Sequence, residues 1–254
     1  MGKAKQLEVM NQSPEVQASV PTTSTPGIRV KICGITNETD ALACVEAGAH
    51  LLGFNFYFGS PRYIRAEVAR GIVEVVKEHA ALVDCVGIFV NEELEDVRRI
   101  ARKTNLDAVQ LHGDESPQYC VALRPLKVIK ALRVNETYDP REAARYPTES
   151  VLLDAWREDS YGGTGQTFDW SLARATRAHV VRLLLAGGLT PENVSTAARI
   201  VQPFAVDVCG GVESAPGRKD IARVRRFIDA VRNATAEIEE KIGKEQSQST
   251  KKMK

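Results

Sequence analysis

The sequence contains no C-x-x-C pair and no cluster among its four histidines, and its five cysteines stand far apart at positions 33, 44, 85, 120 and 209. Such spacing gives neither a zinc site nor a closed disulfide framework, so a reducing cytoplasm fits the chain best. Net charge is also missing: 34 Lys plus Arg against 33 Asp plus Glu leave +1. Without a global field, neither nucleic acid nor an anionic membrane surface is an expected partner, and an anionic ligand needs a local site. No apolar run approaches the ~18 residues of a membrane span, and the first residues lack the charged-then-apolar order of a secretory signal. Position 6 is Gln rather than Ser or Thr, which counts against myristoylation at Gly2.

What the chain does hold is enough apolar residues for a core, 43% hydrophobic against 26% charged. Its 254 residues suit one large α/β domain or two small ones. Residues 1–27 are polar with scattered Ser, Thr and Pro, lack the apolar periodicity that offsets ordering entropy, and read as a flexible leader. Residues 241–254, polar and weakly basic at the end, read as a flexible tail. Within residues 28–240, apolar or β-branched runs recur at 28–33, 51–56, 83–89, 108–111, 127–131, 151–154, 181–186 and 205–208. These eight candidate strands alternate with helical spacing at 39–47, 65–79, 94–104, 117–124, 139–146, 170–178, 191–200 and 220–241.

Runs such as Val181-Arg-Leu-Leu-Leu-Ala186 are apolar without period-two alternation, which suits strands of a parallel sheet buried on both faces. An open doubly wound sheet and a closed (β/α)8 TIM barrel both satisfy that pattern. Eight units in about 210 residues, with no second domain, favour a single-domain barrel. Neither half of the chain duplicates the other.

In such a barrel the functional groups sit on loops at the C-terminal ends of the strands, with phosphate often held after strands 7 and 8. After strand 7 comes Ala186-Gly-Gly-Leu-Thr-Pro-Glu-Asn-Val194, where Thr190 is placed to cap a helix and Pro191 to open it. After strand 8 comes Asp207-Val-Cys-Gly-Gly-Val-Glu213. Gly187-Gly188 and Gly210-Gly211 can present backbone N–H groups to a phosphate without basic side chains, although either pair alone is more often an ordinary turn. Cys33 ends strand 1 and Asp154 ends strand 6; the plain alternatives are a small buried hydrophobe and a helix cap. The stretch from Asp154 to Trp170 carries Gly162-Gly-Thr-Gly165, is long for a connection, and reads as a mobile cover. Arg62, flanked by aromatics, is either a two-pronged grip for a carboxylate or a surface arginine folded over Tyr63. Gln110 and His112 put polar side chains at the same mouth, where a lone histidine is more often a structural hydrogen bonder than a catalyst.

Taken together, Val30-Lys-Ile-Cys-Gly-Ile-Thr36, Gly53-Phe-Asn-Phe-Tyr57 with Ser60-Pro-Arg-Tyr-Ile64, Val86-Gly-Ile-Phe-Val-Asn91, Val109-Gln-Leu-His-Gly113, Leu152-Leu-Asp154, Gly162-Gly-Thr-Gly165 with Phe168-Asp-Trp170, Ala186-Gly-Gly-Leu-Thr-Pro-Glu-Asn193, and Ala205-Val-Asp-Val208 with Gly211-Val-Glu213 run in order along residues 28 to 220. By these blocks the chain resembles the phosphoribosylanthranilate isomerase family of tryptophan biosynthesis. The resemblance implies a cytoplasmic TIM-barrel isomerase, monomer or homodimer, acting on a small phosphosugar–anthranilate with neither metal nor organic cofactor. The implied reaction is the Amadori rearrangement, with Asp154 protonating the furanose ring oxygen and Cys33 removing the C2 proton of the resulting iminium. The resemblance also implies substrate contacts from Arg62, which would hold the anthranilate carboxylate, and from Gln110, His112 and Asp207. The phosphate would lie against Gly187, Gly188, Gly210 and Gly211.

Those roles carry physical requirements. Asp154 has to hold its proton and so sit above its usual ~3.9, while Cys33 has to be a thiolate at or below ~8.5. Opposite shifts in one pocket mark an acid and a base. Two departures from the family pattern stand out. The strand 8 loop expected as Asp-Val-Ser-Ser-Gly-Val-Glu has Cys209 and Gly210 in place of two hydroxyl donors, and Gln166 stands where the cover commonly has a lysine. The competing readings are the histidine-pathway isomerase, opposed by Cys33 and the missing half-barrel repeat, and a non-catalytic or regulatory phosphosugar-binding barrel, opposed by Cys33, Asp154 and Arg62 together.

Overall fold

The computed structural model describes residues 27–155 and 167–252. The leader through residue 26 and most of the expected cover, 156–166 with Gln166, lie outside the described residues. Eight strands, β1 (Arg29–Cys33), β2 (Leu51–Asn55), β3 (Asp84–Phe89), β4 (Ala108–Leu111), β5 (Lys127–Val134), β6 (Ser150–Ala155), β7 (Arg182–Leu185) and β8 (Ala205–Val208), close into a parallel barrel in chain order. β1 pairs with β8 from Arg29↔Ala205 to Ile32↔Val208, which seals the ring. The chain is therefore a (β/α)8 TIM barrel, as the alternation of apolar runs and helical spacing predicts.

Helices cover the outside: α1 (Glu38–Ala47), α2 (Ala66–His79), α3 (Leu94–Lys103), α4 (Pro117–Ala122), α5 (Trp170–Thr176), α6 (Val194–Val201) and α7 (Ile221–Lys252). Their ends follow local chemistry. Asn37 accepts from Asp40 N at the start of α1, Gly48 closes that helix in the left-handed region, and Ser116 caps α4 ahead of Pro117. α2 turns Ala69, Ile72, Val73 and Val76 onto the barrel, the spacing of one helical face.

Side chains alternate between two cores. The outer one, between strands and helices, includes Ile32, Leu52, Phe54, Phe89, Leu153 and Phe227. The inner one fills the barrel with Leu51, Val86, Ile129, Leu152 and Leu184, and is capped towards the C-terminal mouth by the polar residues of the site. Because the strand period is two, Cys33 shares the inward face with Lys31, and Asp154 shares it with Leu152.

Four segments differ from the sequence expectation. Residues 139–146 form a 3-10 helix over Pro140–Arg145 instead of an α-helix. Thr190 and Pro191 do not start α6: Asn193 Oδ1 accepts from Thr190 N at 2.8 Å and its Nδ2 donates to Gly188 O at 2.9 Å, holding a turn that delays the helix to Val194. After β8 comes an unanticipated hairpin, β9 (Glu213–Ala215) and β10 (Arg218–Lys219). Finally, α7 runs unbroken through the expected tail to Lys252. Extending an existing helix costs far less than nucleating one, and Lys244–Glu240 pairing supports the exposed part.

Candidate active site

A cavity of about 260 Å³ opens at the C-terminal mouth and is lined by Cys33, Arg62, Gln110, His112, Asp154, Asp207 and all four of Gly187, Gly188, Gly210 and Gly211. The ten residues expected to catalyse or to bind substrate and phosphate thus line one space. Asp154 reaches it from the end of β6, buried at 6% exposure, with Oδ1 accepting from Ala155 N at 2.9 Å. His112 Nε2 lies 3.2 Å from its Oδ2. On the other side of that ring, Gln110 Nε2 lies 2.8 Å from His112 Nδ1. With the amide as donor, Nδ1 accepts, and Nε2 is left beside Asp154 with no hydrogen-bond partner among the described residues. Among the described residues Gln110 Oε1 is buried with no hydrogen-bond partner, an acceptor left for a ligand hydroxyl.

Cys33 sits at the tip of β1. A hydrogen bond from the Cys209 thiol holds its sulfur well below the ordinary thiol range; Lys31, Lys219 and His112 act in the same direction, and burial opposes them. The same bond, together with burial, drives Cys209 well above that range, so the proton of the pair stays on Cys209. By contrast, burial raises Cys44 and Cys85 to about 12 and Cys120 to about 11. Of the five, Cys33 alone is held below the ordinary thiol range, and it lines the cavity together with Cys209.

Lys31 comes from the β1 position that shares the inward face with Cys33. Its ammonium is fully buried and 2.9 Å from Asp207 Oδ1. Burial pulls it down, but Asp207 and Cys33 outweigh that and hold it above its usual value. Burial pushes Asp207 up to about 6, with Lys31 opposing, so both partners are charged at neutral pH. One Asp207 oxygen is thus committed to Lys31.

The two glycine loops touch. A Cβ on Gly211 would lie 2.0 Å from Leu189 O, and one on Gly187, at φ +82°, would lie 2.9 Å from Ala155 N. Neither position has room for a side chain, so the glycines bring both backbones against the cavity. Among the described residues their N–H groups make no hydrogen bond to a protein acceptor. The Cys209 sulfur, at the position where a serine hydroxyl was expected to reach a phosphate, lies 3.8 Å from Glu213 Oε1 and acts on Cys33 beside it.

Arg62 is neither exposed nor folded over Tyr63. Its Nε and Nη2 grip Glu213 at 3.0 and 2.6 Å, and Tyr63 packs edge-on against Phe58. Lys219, also missed in the sequence, reaches Glu213 Oε1 at 2.8 Å and the carbonyl of Cys33 at 2.6 Å. Lys31 did carry a signal, a charge inside an interior strand that demands a buried partner. Glu213 and Lys219 carried none, because their pairing depends on the short hairpin. Among the described residues no three His, Cys, Asp or Glu groups converge as a metal-ligand set, and no helix is long and apolar enough to cross a membrane.

The family model described as N-(5'phosphoribosyl)anthranilate (PRA) isomerase matches residues 30–230. A protein of that name from Trichlorobacter lovleyi is 49% identical over 207 residues, 82% of this chain and 99% of the relative. The crystal structure of the Thermotoga maritima phosphoribosyl anthranilate isomerase superposes with a TM-score of 0.74 at 44% identity, covering 81% of this chain and 99% of that one. Another structure, of phosphoribosyl anthranilate isomerase in complex with reduced 1-(o-carboxyphenylamino)-1-deoxyribulose 5-phosphate, gives 0.72 at 44% identity with the same coverage.

Proposed function

The chain belongs to the family of N-(5'-phosphoribosyl)anthranilate isomerases, and we propose that it performs that rearrangement with Asp154 as general acid and Cys33 as general base. The enzyme is an isomerase of tryptophan biosynthesis that turns N-(5-phosphoribosyl)anthranilate into 1-(2-carboxyphenylamino)-1-deoxyribulose 5-phosphate. The observation that carries the residue assignment is one cavity holding a buried carboxylate on β6 and a low-pKa thiol on β1. Asp154 donates its proton to the furanose ring oxygen as the C1–O bond breaks, and the anilino nitrogen lone pair forms the C1 iminium. The Cys33 thiolate then takes the C2 proton, acidified by that iminium, and the electron pair flows to an enolamine. Its tautomerisation, with a proton arriving at C1 and the C2 hydroxyl proton leaving, gives the ketone.

The remaining groups bind and orient. The free N–H groups at Gly187-Gly188 and Gly210-Gly211 receive the phosphate. Arg62 holds the anthranilate carboxylate, and Gln110, His112 and Asp207 meet the ribose hydroxyls. Five free cysteines and the absence of a membrane-crossing helix among the described residues support a cytoplasmic setting. The test is loss of anthranilate fluorescence when the purified chain meets freshly generated phosphoribosylanthranilate. Catalytic decay at substoichiometric protein is expected. Saturable binding with no turnover would instead support a regulatory phosphosugar-binding barrel.

A further inference from the structure

Building on the carboxylate-binding role of Arg62, we propose that Glu213, braced by Lys219, is a positioning residue that aims the Arg62 guanidinium at the anthranilate carboxylate. The two residues come from the hairpin after β8, where Lys219 and Glu213 are direct cross-strand partners. Glu213 takes the side edge of the guanidinium: Nε is 3.0 Å from each carboxylate oxygen and Nη2 is 2.6 Å from Oε2. That leaves the end edge, Nη1 with the second Nη2 hydrogen, for a second carboxylate in the same two-bonded geometry. One arginine can therefore bridge a protein carboxylate and a ligand carboxylate, with the first fixing the direction of the second.

Glu213 is itself immobilised. Its side chain is 4% exposed, Lys219 Nζ lies 2.8 Å from Oε1 and Gly217 N lies 3.3 Å from the same oxygen. The Lys219 ammonium is fully buried and also binds the Cys33 carbonyl at 2.6 Å and the Cys209 carbonyl at 3.5 Å. It ties Glu213 to the ends of β1 and β8. The Arg62 stem crosses Gly34, where a Cβ would meet Arg62 Cδ at 2.8 Å, so the stem that carries the guanidinium passes directly beside the residue that follows Cys33. The network thereby fixes the ligand carboxylate relative to the base that takes its C2 proton. A carboxylate serving only to brace the hairpin would have no need to occupy one edge of a cavity-lining arginine and leave the other free.

A double-mutant cycle with two ligands tests this. The probes are the reduced product, 1-(2-carboxyphenylamino)-1-deoxyribulose 5-phosphate reduced at its ketone, and its anilino analogue lacking the carboxyl. Glu213→Gln should weaken the carboxylated probe about tenfold, leave the decarboxylated analogue within about twofold, and raise KM far more than it lowers kcat. In an Arg62→Ala background the same substitution should add nothing. Glu213→Asp, which keeps the charge on a shorter stem, should give an intermediate loss for the carboxylated probe alone, and it reports even if the amide variant folds poorly. Equal weakening of both probes, or losses that multiply in the double variant, would overturn the positioning role while leaving Arg62 as the carboxylate contact. If Arg62→Ala leaves the carboxylated probe unaffected, the Arg62 assignment falls and the positioning role falls with it.

Discussion

Asp154→Ala should lower kcat by about 10²–10⁴-fold while the barrel stays folded, the range a positioned general acid supplies. Ring opening expels a sugar oxygen that is a poor leaving group unless it is protonated as the bond breaks, and among the described residues the one other carboxyl lining the cavity is Asp207, with Glu213 behind Arg62. Asp207 is bound to Lys31, and Glu213, depressed by Arg62 and Lys219 against the effect of burial, stays ionised. The loss belongs in kcat more than in KM, because Asp154 acts on the ring oxygen in the transition state and is not assigned to the phosphate or the carboxylate. Structural cost is small: Asp154 gives up its bond from Ala155 N and its contact with His112 Nε2, and the inner core beneath it is untouched. Steady-state kinetics beside a thermal melt separate the two effects. Turnover within a few-fold of the parent would remove Asp154 from the chemistry.

Cys33→Ala should be as severe, again about 10²–10⁴-fold in kcat. Cys33→Ser extends the argument. A hydroxyl keeps the size of the side chain, but its proton is far too tightly held for Cys209, Lys31 and Lys219 to release it near neutrality, so Ser should rescue little. The space itself is demanding: a Cβ on Gly53 would lie 2.9 Å from the Cys33 sulfur, so larger replacements would disturb β2. Alanine and serine are therefore the informative variants.

Much of this was legible in the sequence because burial on both faces leaves a strong mark. Val181-Arg-Leu-Leu-Leu-Ala186 has no polar alternation, and it forms β7 of a closed ring. Gly187 after β7 and Gly211 after β8 were legible for the same reason in reverse, since positions with no room for Cβ admit little else. What escaped was determined by long-range contact. Glu213 and Lys219 lie in strands of three and two residues, too short for any periodicity, and their role depends on Arg62, 151 residues away in sequence from Glu213. Arg62 was expected as a free grip, whereas half of its donor edge belongs to Glu213. Cys209 was noted only as a missing hydroxyl, yet adjacent-strand register puts it beside Cys33, one step beyond Ile32↔Val208. The tail was misjudged because a helix already nucleated on the barrel by Val224, Phe227, Ile228 and Val231 carries a polar continuation with it.

The division of labour between Asp154 and Cys33 is tested most directly by kcat/KM against pH for the parent and each alanine variant. A folded-state thiol pKa held well below its usual value moves formation of the thiolate to lower pH, and activity falls as acid protonates it. The parent should therefore show an acid limb that Asp154→Ala, at its low residual rate, keeps and Cys33→Ala loses. An acid limb standing unmoved in Cys33→Ala would contradict the assigned proton transfers.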